Sequence, residues 1–267
     1  MSKRKIAILG GGNLGTAMAR GIMAGDLAES YRVTVTRRQP NLIRNLEESG
    51  VKVMDDNLAA IADADIIILA VQPKQLDLLL QLIAPAIDPA QHIMISVITG
   101  IKIKDIAAKV GEEVKIIRAM PNTAIAIQKS MTCLATNNAS MNEMVEVENL
   151  FNALGKTLVI QENLMEAATV LGACGIAFFL RYIRAASQGG IEVGFHANEA
   201  QLIASQTALG AASLLLETNQ HPEEAIDKVT TPQGCTIAGL NEMEHFGLSS
   251  ALIKGIITSY KKIDKIT

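Results

Sequence analysis

Lys5-Ile6-Ala7-Ile8-Leu9-Gly10-Gly11-Gly12-Asn13-Leu14-Gly15 decides the fold of this chain. An apolar run leads without interruption into Gly-x-Gly-x-x-Gly at Gly10, Gly12 and Gly15, and an alanine-rich helical pattern, Thr16 to Ala24, follows. Each glycine has its own task in such a strand-to-helix turn. Gly10 permits the tight turn, Gly12 lets a pyrophosphate approach the backbone, and Gly15 lets the helix pack closely on the strand. The pyrophosphate would rest on free N–H groups at the helix N-terminus. The expected cofactor contacts on this unit are Leu9, Gly10, Gly12, Asn13, Leu14 and Gly15. A glycine-rich turn that binds nothing would not need strand, loop and helix in this order.

The second strand selects the dinucleotide. It reads Tyr31-Arg32-Val33-Thr34-Val35-Thr36-Arg37-Arg38. An NAD-binding fold places an Asp or Glu roughly 20 residues beyond the glycines to take the ribose 2′-hydroxyl. Here Thr36, Arg37 and Arg38 stand at the strand's end instead. A hydroxyl and two guanidiniums suit a 2′-phosphate, because Arg makes charge-assisted and often bidentate bonds to phosphate. NADPH is therefore expected before NADH, with one of the two arginines left to face solvent.

Outward from this unit, strand-like and helix-like runs alternate. Strands are expected near Ile6–Leu9, Arg32–Thr36, Asp65–Val71, His92–Val97, Val114–Ala119, Met131–Ala135 and Lys156–Ile160. Helices are expected at Asn41–Ser49, Lys74–Ile83, Ile103–Lys109 and Asn142–Leu154. Continuous apolar strands such as Ile66 to Val71 suit a mainly parallel sheet covered on both faces. The fold class is α/β: a Rossmann-like dinucleotide-binding domain over residues 1–161, then an all-α domain over 162–267. Beyond Gln161 only helical patterns appear, over Leu164–Gln188, Asn198–Thr218 and His245–Ile263. The middle one presents Leu202, Ile203, Ser205, Gln206, Leu209, Gly210, Ala212, Ser213, Leu215 and Leu216 over an arc too wide for a single surface helix. That width predicts burial against a second copy, a homodimer through these helices.

Composition narrows the class. Of 267 residues, 49% are hydrophobic but only 3% aromatic, so the core must be aliphatic. The net charge is −3, with no basic block, which argues against nucleic-acid binding. Cys133, Cys174 and Cys235 show no metal-like spacing, and an odd, scattered set suits a reducing cytosol. The apolar stretch Ala167–Leu180 is shorter than the roughly 20 residues of a membrane helix, so a soluble cytoplasmic protein is expected.

Other candidate contacts close the strands, where an open α/β sheet keeps its ligand crevice. Ala70, Val71, Gln72 and Pro73 follow one strand; Pro121, Asn122 and Thr123 follow another. Pro73 and Pro121 make rigid turns, and Asn122 offers a carboxamide beside the expected nicotinamide site. Asn57, at a helix start, either reaches the adenosine half of the cofactor or caps its helix. A further run, Val229-Thr230-Thr231-Pro232-Gln233-Gly234-Cys235-Thr236, turns into a helical pattern. It can present successive N–H groups to an anion, or serve as an ordinary helix cap.

These runs together resemble pyrroline-5-carboxylate reductase over nearly the full chain. The matching stretches are Gly10–Gly15, Ala70–Gln75, Met120–Thr123, Gln206–Ala212, His221–Glu224 and Thr230–Leu240. The resemblance implies NAD(P)H-dependent reduction of the cyclic imine 1-pyrroline-5-carboxylate to L-proline, the last step of proline biosynthesis. It also implies a Rossmann domain, a helical dimerisation domain, and often a decamer built from dimers. Two stretches depart from the family pattern. Its Ser-Gly-Ser-Gly-Pro-Ala-Tyr reads Gly172-Ala173-Cys174-Gly175-Ile176-Ala177-Phe178, and its Ser-Pro-Gly-Gly-Thr-Thr reads Thr231-Pro232-Gln233-Gly234-Cys235-Thr236.

For such a reaction Thr236 is the expected catalytic residue, donating to the imine nitrogen or ordering a water that does. Gly234, Cys235 and Thr236 would hold the carboxylate through backbone N–H groups, with Glu166 and Thr169 as further substrate contacts unless they merely pack their helix. Proximity and preorganised dipoles would supply the rate. Cys235 need not act as a nucleophile, since hydride transfer requires none. Three other readings compete. A reductase of a related cyclic imino acid is one. A β-hydroxyacid reductase would carry a catalytic Lys in a long helix, and Leu164–Gln188 holds Arg181 and Arg184 but no Lys. A non-catalytic NADP-binding module is the third.

Overall fold

A computed structural model describes residues 3–136 and 138–263. The ends of the expected domains, at 1 and 267, lie outside the described residues. Eight strands form one sheet: β1 (Arg4–Leu9), β2 (Tyr31–Thr36), β3 (Lys52–Met54), β4 (Ile66–Leu69), β5 (Ile93–Ser96), β6 (Lys115–Met120), β7 (Ser130–Thr136) and β8 (Gly155–Val159), in the order β3-β2-β1-β4-β5-β6-β7-β8. Every neighbouring pair is parallel except β6 and β7. The order reverses between β1 and β4, so the crevice at the carboxyl end of β1 is the switch point of the sheet.

Alternation along the strands makes two cores. Ile6 and Ile8 face one side with Met18, Ile22, Val35 and Phe151. Ala7 and Leu9 face the other with Leu80, Ile83, Met94 and Ile106. The covering helices are α1 (Asn13–Met23), α2 (Leu27–Ser30), α3 (Asn57–Ile61), α4 (Pro73–Ile83), α5 (Ile103–Val110) and α6 (Met141–Asn152). Ser140 caps α6, accepting from the Glu143 N–H while the Glu143 carboxylate accepts from the Ser140 N–H.

Several expectations need correction here. Strand β3 went unseen because three residues carry no readable period. The expected α-helix at Asn41–Ser49 is a 3₁₀ helix, Pro40–Ser49. Its two buried residues, Ile43 and Leu46, are three apart, and three residues per turn puts both on one side. The expected helix at Leu164–Gln188 is not uniform. It runs through a 3₁₀ turn (Glu162–Leu164), α7 (Met165–Ala168) and a π-helical turn (Thr169–Cys174) into α8 (Gly175–Glu192). The departing stretch that begins at Gly172 is therefore helical. Taken together Glu162–Glu192 is long and apolar enough, by length and composition, to cross a membrane, whereas Ala167–Leu180 alone is not.

The chain divides into two compact units, one of residues up to Cys174 with the described end of the last helix from Tyr260, the other Gly175–Ser259. The expected boundary at 161/162 precedes this division of contacts, and Met165 just beyond it is fully buried beneath β6 and β7, against Met120, Cys133 and Ala135. The second unit holds most of α8, then α9 (Ala197–Thr218), α10 (Pro222–Val229), α11 (Cys235–His245) and the body of α12 (Leu248–Ile263). Helix α10 adds to the three long helical runs expected, and α11 is the helical pattern expected to follow the Thr231–Gly234 turn. Small residues bring α8 and α9 together: a Cβ on Gly190 would stand 2.9 Å from that of Ala200. Much of the remaining apolar surface of α9 is open, with Leu202 at 70% and Leu216 at 80% exposure. A self-sufficient bundle would cover such residues.

Candidate active site

A cleft of about 840 Å³ opens at the carboxyl ends of β1, β2 and β4. It is lined by nine of the expected cofactor residues: Gly10, Gly12, Thr36, Arg37, Arg38, Asn57, Ala70, Val71 and Gln72. Leu9, Asn13, Leu14, Gly15, Pro73, Pro121 and Asn122 stand outside that lining. Leu9 is fully buried in the sheet, where its carbonyl accepts the Ala70 N–H. Pro73 is the first residue of α4 and fixes its start.

The glycine loop is held open by its own backbone. The Gly10 and Gly11 N–H groups both donate to the Thr36 carbonyl, at 3.2 and 2.7 Å. Gly10 sits at φ +122°, with the Ala70 carbonyl where a side chain would point. Gly15 is closed off by the Gly10 carbonyl and Ile8. Gly12 differs: beyond the residue itself and its two chain neighbours, no protein atom lies within 4 Å of the place a Cβ would occupy. Nothing in the protein requires a glycine there, and the space beside it is open. Gly12 begins α1 without any side-chain cap. The first intrahelical bond is Thr16 N–H to the Gly12 carbonyl, at 2.9 Å. The amides of Asn13, Leu14 and Gly15 precede it and point out of the helix end, as an anion requires.

At the ribose end the three expected groups have different duties. Thr36 is 2% exposed and its hydroxyl donates to Asn57 Oδ1 at 2.6 Å. Asn57 thereby orders β2 against α3. It is not the helix cap, because Asp56 is, accepting from the Ala59 N–H at 3.0 Å. The half-buried Arg37 donates from Nη1 to the Gly11 carbonyl at 2.7 Å, which ties the glycine loop to β2. Arg38 is exposed at the cleft. Two charged residues of the lining, Lys74 and Asp55, were missed by sequence reasoning. Lys74 was readable from the Gln72-Pro73-Lys74 run, since a residue in the first turn of α4 faces the crevice.

Beyond the cleft, Asn122 starts a 3₁₀ turn (Thr123–Ile127) and its Oδ1 accepts from the Ala124 N–H at 3.0 Å. Its Nδ2 donates to the Gly172 carbonyl at 3.2 Å. Both ends of the carboxamide are thus engaged within the protein. Thr169 is 3% exposed and donates to the Met165 carbonyl at 2.7 Å. Glu166 lies 3.7 Å from Arg118 Nη1, and Glu162 lies 3.2 Å from the same nitrogen. Arg118, buried within β6, gave no sequence signal beyond its place in an apolar strand. Burial pushes the Cys174 thiol above its ordinary range, which keeps it protonated at neutral pH.

In the helical unit, Gly234 precedes α11 without a side-chain cap, and the first intrahelical donor is Ala238. The amides of Cys235 and Thr236 are therefore unclaimed by the helix, and both residues are exposed. The turn ahead of them puts Gln233 at φ +58°, a left-handed conformation that glycine adopts without cost. Gln233→Gly is expected to raise stability by about 1 kcal/mol, read as a higher urea midpoint with an unchanged slope.

Comparison with known proteins agrees with this geometry. The family model described as pyrroline-5-carboxylate reductase dimerisation matches residues 162–266. Another, NADP oxidoreductase coenzyme F420-dependent, matches residues 5–100. Pyrroline-5-carboxylate reductase 1 of Dictyostelium discoideum is 49% identical over 96% of this chain, which spans about half (49%) of that relative. Pyrroline-5-carboxylate reductase 2 of the same organism is 45% identical over 99% of this chain and 93% of its own length. Among solved structures, a Plasmodium falciparum pyrroline carboxylate reductase with NADP bound shares the fold with a TM-score of 0.89, at 23% identity, covering 100% of this chain and 99% of that one. The chain belongs to the pyrroline-5-carboxylate reductase family.

Proposed function

We propose that this protein reduces 1-pyrroline-5-carboxylate to L-proline with hydride from NADPH, NADH serving less well. The observation that carries the reading is the 45% identity to a pyrroline-5-carboxylate reductase across 99% of the chain. The cleft fits the cofactor on its own terms. Its glycine loop leaves open room at Gly12 for a pyrophosphate, and Arg37, Arg38 and Lys74 line the same cleft. Leu9, Gly10, Gly12, Asn13, Leu14 and Gly15 would hold the pyrophosphate half. Thr36, Arg37, Arg38 and Asn57 would frame the ribose and its 2′-phosphate; Ala70, Val71, Gln72, Pro73, Pro121 and Asn122 would line the way to the nicotinamide. Bound there, NADPH supplies the hydride.

The remaining chemistry belongs to the chain. The imine nitrogen must be protonated or hydrogen-bonded to accept an electron pair, and the Thr236 hydroxyl is both donor and acceptor. The uncapped amides at Cys235 and Thr236, beside Gly234, suit the substrate carboxylate. Glu166 and Thr169 would complete the substrate side. No acid–base pair is needed, since orientation of two bound reactants supplies most of the rate. We place the enzyme in the cytoplasm as a homodimer formed through the exposed apolar faces of the helical unit, assembling further to a decamer.

NADPH absorbance followed with purified protein and pyrroline-5-carboxylate tests the reading. Oxidation faster with NADPH than with NADH is expected. Thr236→Ala should lower kcat/KM for the imine about tenfold, the loss of one well-placed hydrogen bond. Full retention would remove Thr236 from the mechanism. Tight NADPH binding without oxidation would turn attention to related cyclic imino acids, because Ile176, Gln233 and Cys235 depart from the family pattern around the expected pocket.

A further inference from the structure

The π-helical turn Thr169–Cys174 has a holder whose place in the fold gives it a function. A π turn closes its bonds over one residue more than an α turn, and it is found mostly as a single turn at functional sites. The buried half of this turn is fixed from inside. Val170 is 1% exposed, and Thr169 bonds back to the Met165 carbonyl. The other half, Leu171 to Cys174, is exposed or only half-buried. What reaches it is the Asn122 carboxamide, donating to the Gly172 carbonyl.

Asn122 is itself rigid. Its N–H donates to Ser130 Oγ at 3.1 Å, and Ser130 is 2% exposed in β7. Its Oδ1 is fixed by the Ala124 N–H. Pro121 precedes it and closes the carboxyl end of β6, the side of the sheet on which the crevice lies. One side chain therefore ties the crevice end of β6 to the turn at which this chain departs from its family pattern.

We propose that Asn122 is a positioning residue for imine reduction: it holds the Gly172 carbonyl, and through it the π turn, in the register that the substrate site needs. Asn122 borders the way to the nicotinamide, but its bonds to the Gly172 carbonyl and the Ala124 N–H turn the carboxamide to the π turn and its own 3₁₀ turn. This rests on the imine-reductase reading above. The alternative duty for the same side chain is a direct bond to the cofactor, and the two make opposite predictions about NADPH affinity.

Asn122→Ser separates them. Serine still caps the 3₁₀ turn but is too short to reach Gly172. The expected result is a fall of about tenfold in kcat for pyrroline-5-carboxylate, with the NADPH Kd within twofold of the parent. A Kd weakened by the same factor as kcat/KM would overturn the proposal in favour of a cofactor contact. Unchanged kcat would overturn it as well, and so would a lower melting temperature with full turnover in the folded protein, since that marks a merely structural bond. Asn122→Asp provides the second variant if the serine protein does not fold: it keeps the capping oxygen and replaces the donor with a charged acceptor that repels the Gly172 carbonyl. It should show the same split between kcat and NADPH affinity. A parent enzyme that turns over no imine would overturn the function itself, whereas an active parent with an unaffected Asn122→Ser variant overturns only the positioning role.

Discussion

Gly12→Val should fold as well as the parent and lose NADPH almost completely. The backbone at Gly12 lies at φ −83° and ψ −168°, an extended conformation that a β-branched residue adopts readily. Beyond the residue itself and its two chain neighbours, no protein atom stands within 4 Å of the added Cβ. The only folding penalty is the poorer helix cap, under about 1 kcal/mol. The isopropyl group would instead occupy the space through which a pyrophosphate meets the α1 amides. An NADPH Kd raised at least about a hundredfold, or about 2.7 kcal/mol, is expected. A fluorescence titration measures it directly. Thermal unfolding gives the complement, because NADPH should raise the melting temperature of the parent and leave the variant where it was. Gly10→Ala and Gly15→Ala are different in kind. Their Cβ atoms would meet the carbonyls of Ala70 and Gly10, so fold and cofactor would be lost together. An undiminished affinity in Gly12→Val would remove the pyrophosphate from this helix end.

The same contrast explains what the sequence made legible. The glycine spacing, the missing acid at the end of β2 and the strand-end turns are local signals. Each specifies a backbone geometry within a few residues, and the cleft gathers most of the residues so identified. What stayed hidden depends on contacts far apart in sequence. Nothing in Arg37 itself announces that its guanidinium holds the Gly11 carbonyl, or in Asn57 that it takes the Thr36 hydroxyl while Asp56 caps the helix. The π turn was illegible for another reason. An apolar run of that length suits several helical registers equally, and the choice between them is made by Met165 beneath the sheet and Asn122 at the turn. The contact division at Cys174 was illegible for the same reason, since the switch from strand to helix patterns at Gln161 precedes the place where packing changes partners.

Arg118→Leu is the substitution expected to cost most in stability. Arg118 is 1% exposed and its Nη1 faces two carboxylates, those of Glu162 and Glu166. Glu162 Oε1 also accepts the Ile103 N–H at 2.7 Å, so it holds the start of α5 together with the 3₁₀ turn that leads into α7. Removing the cation leaves two largely buried carboxylates facing each other with neither balanced. Breaking a buried pair in this way costs about 3–5 kcal/mol. Glu162 and Glu166 retain side-chain exposures of 19% and 15%, which lets water relieve part of the charge and favours the lower end. Arg118 is itself imperfectly served, for among the described residues its Nε and Nη2 have no partner. Apolar replacement recovers that cost once the acids are neutralised as well. The triple variant Arg118→Leu/Glu162→Gln/Glu166→Gln should therefore regain most of what Arg118→Leu alone loses. Urea unfolding at a fixed protomer concentration measures both. A single variant within about 0.5 kcal/mol of the parent would mean that the ions stay hydrated. A triple variant as weak as the single one would mean that the acids serve through shape and hydrogen bonds, with charge secondary.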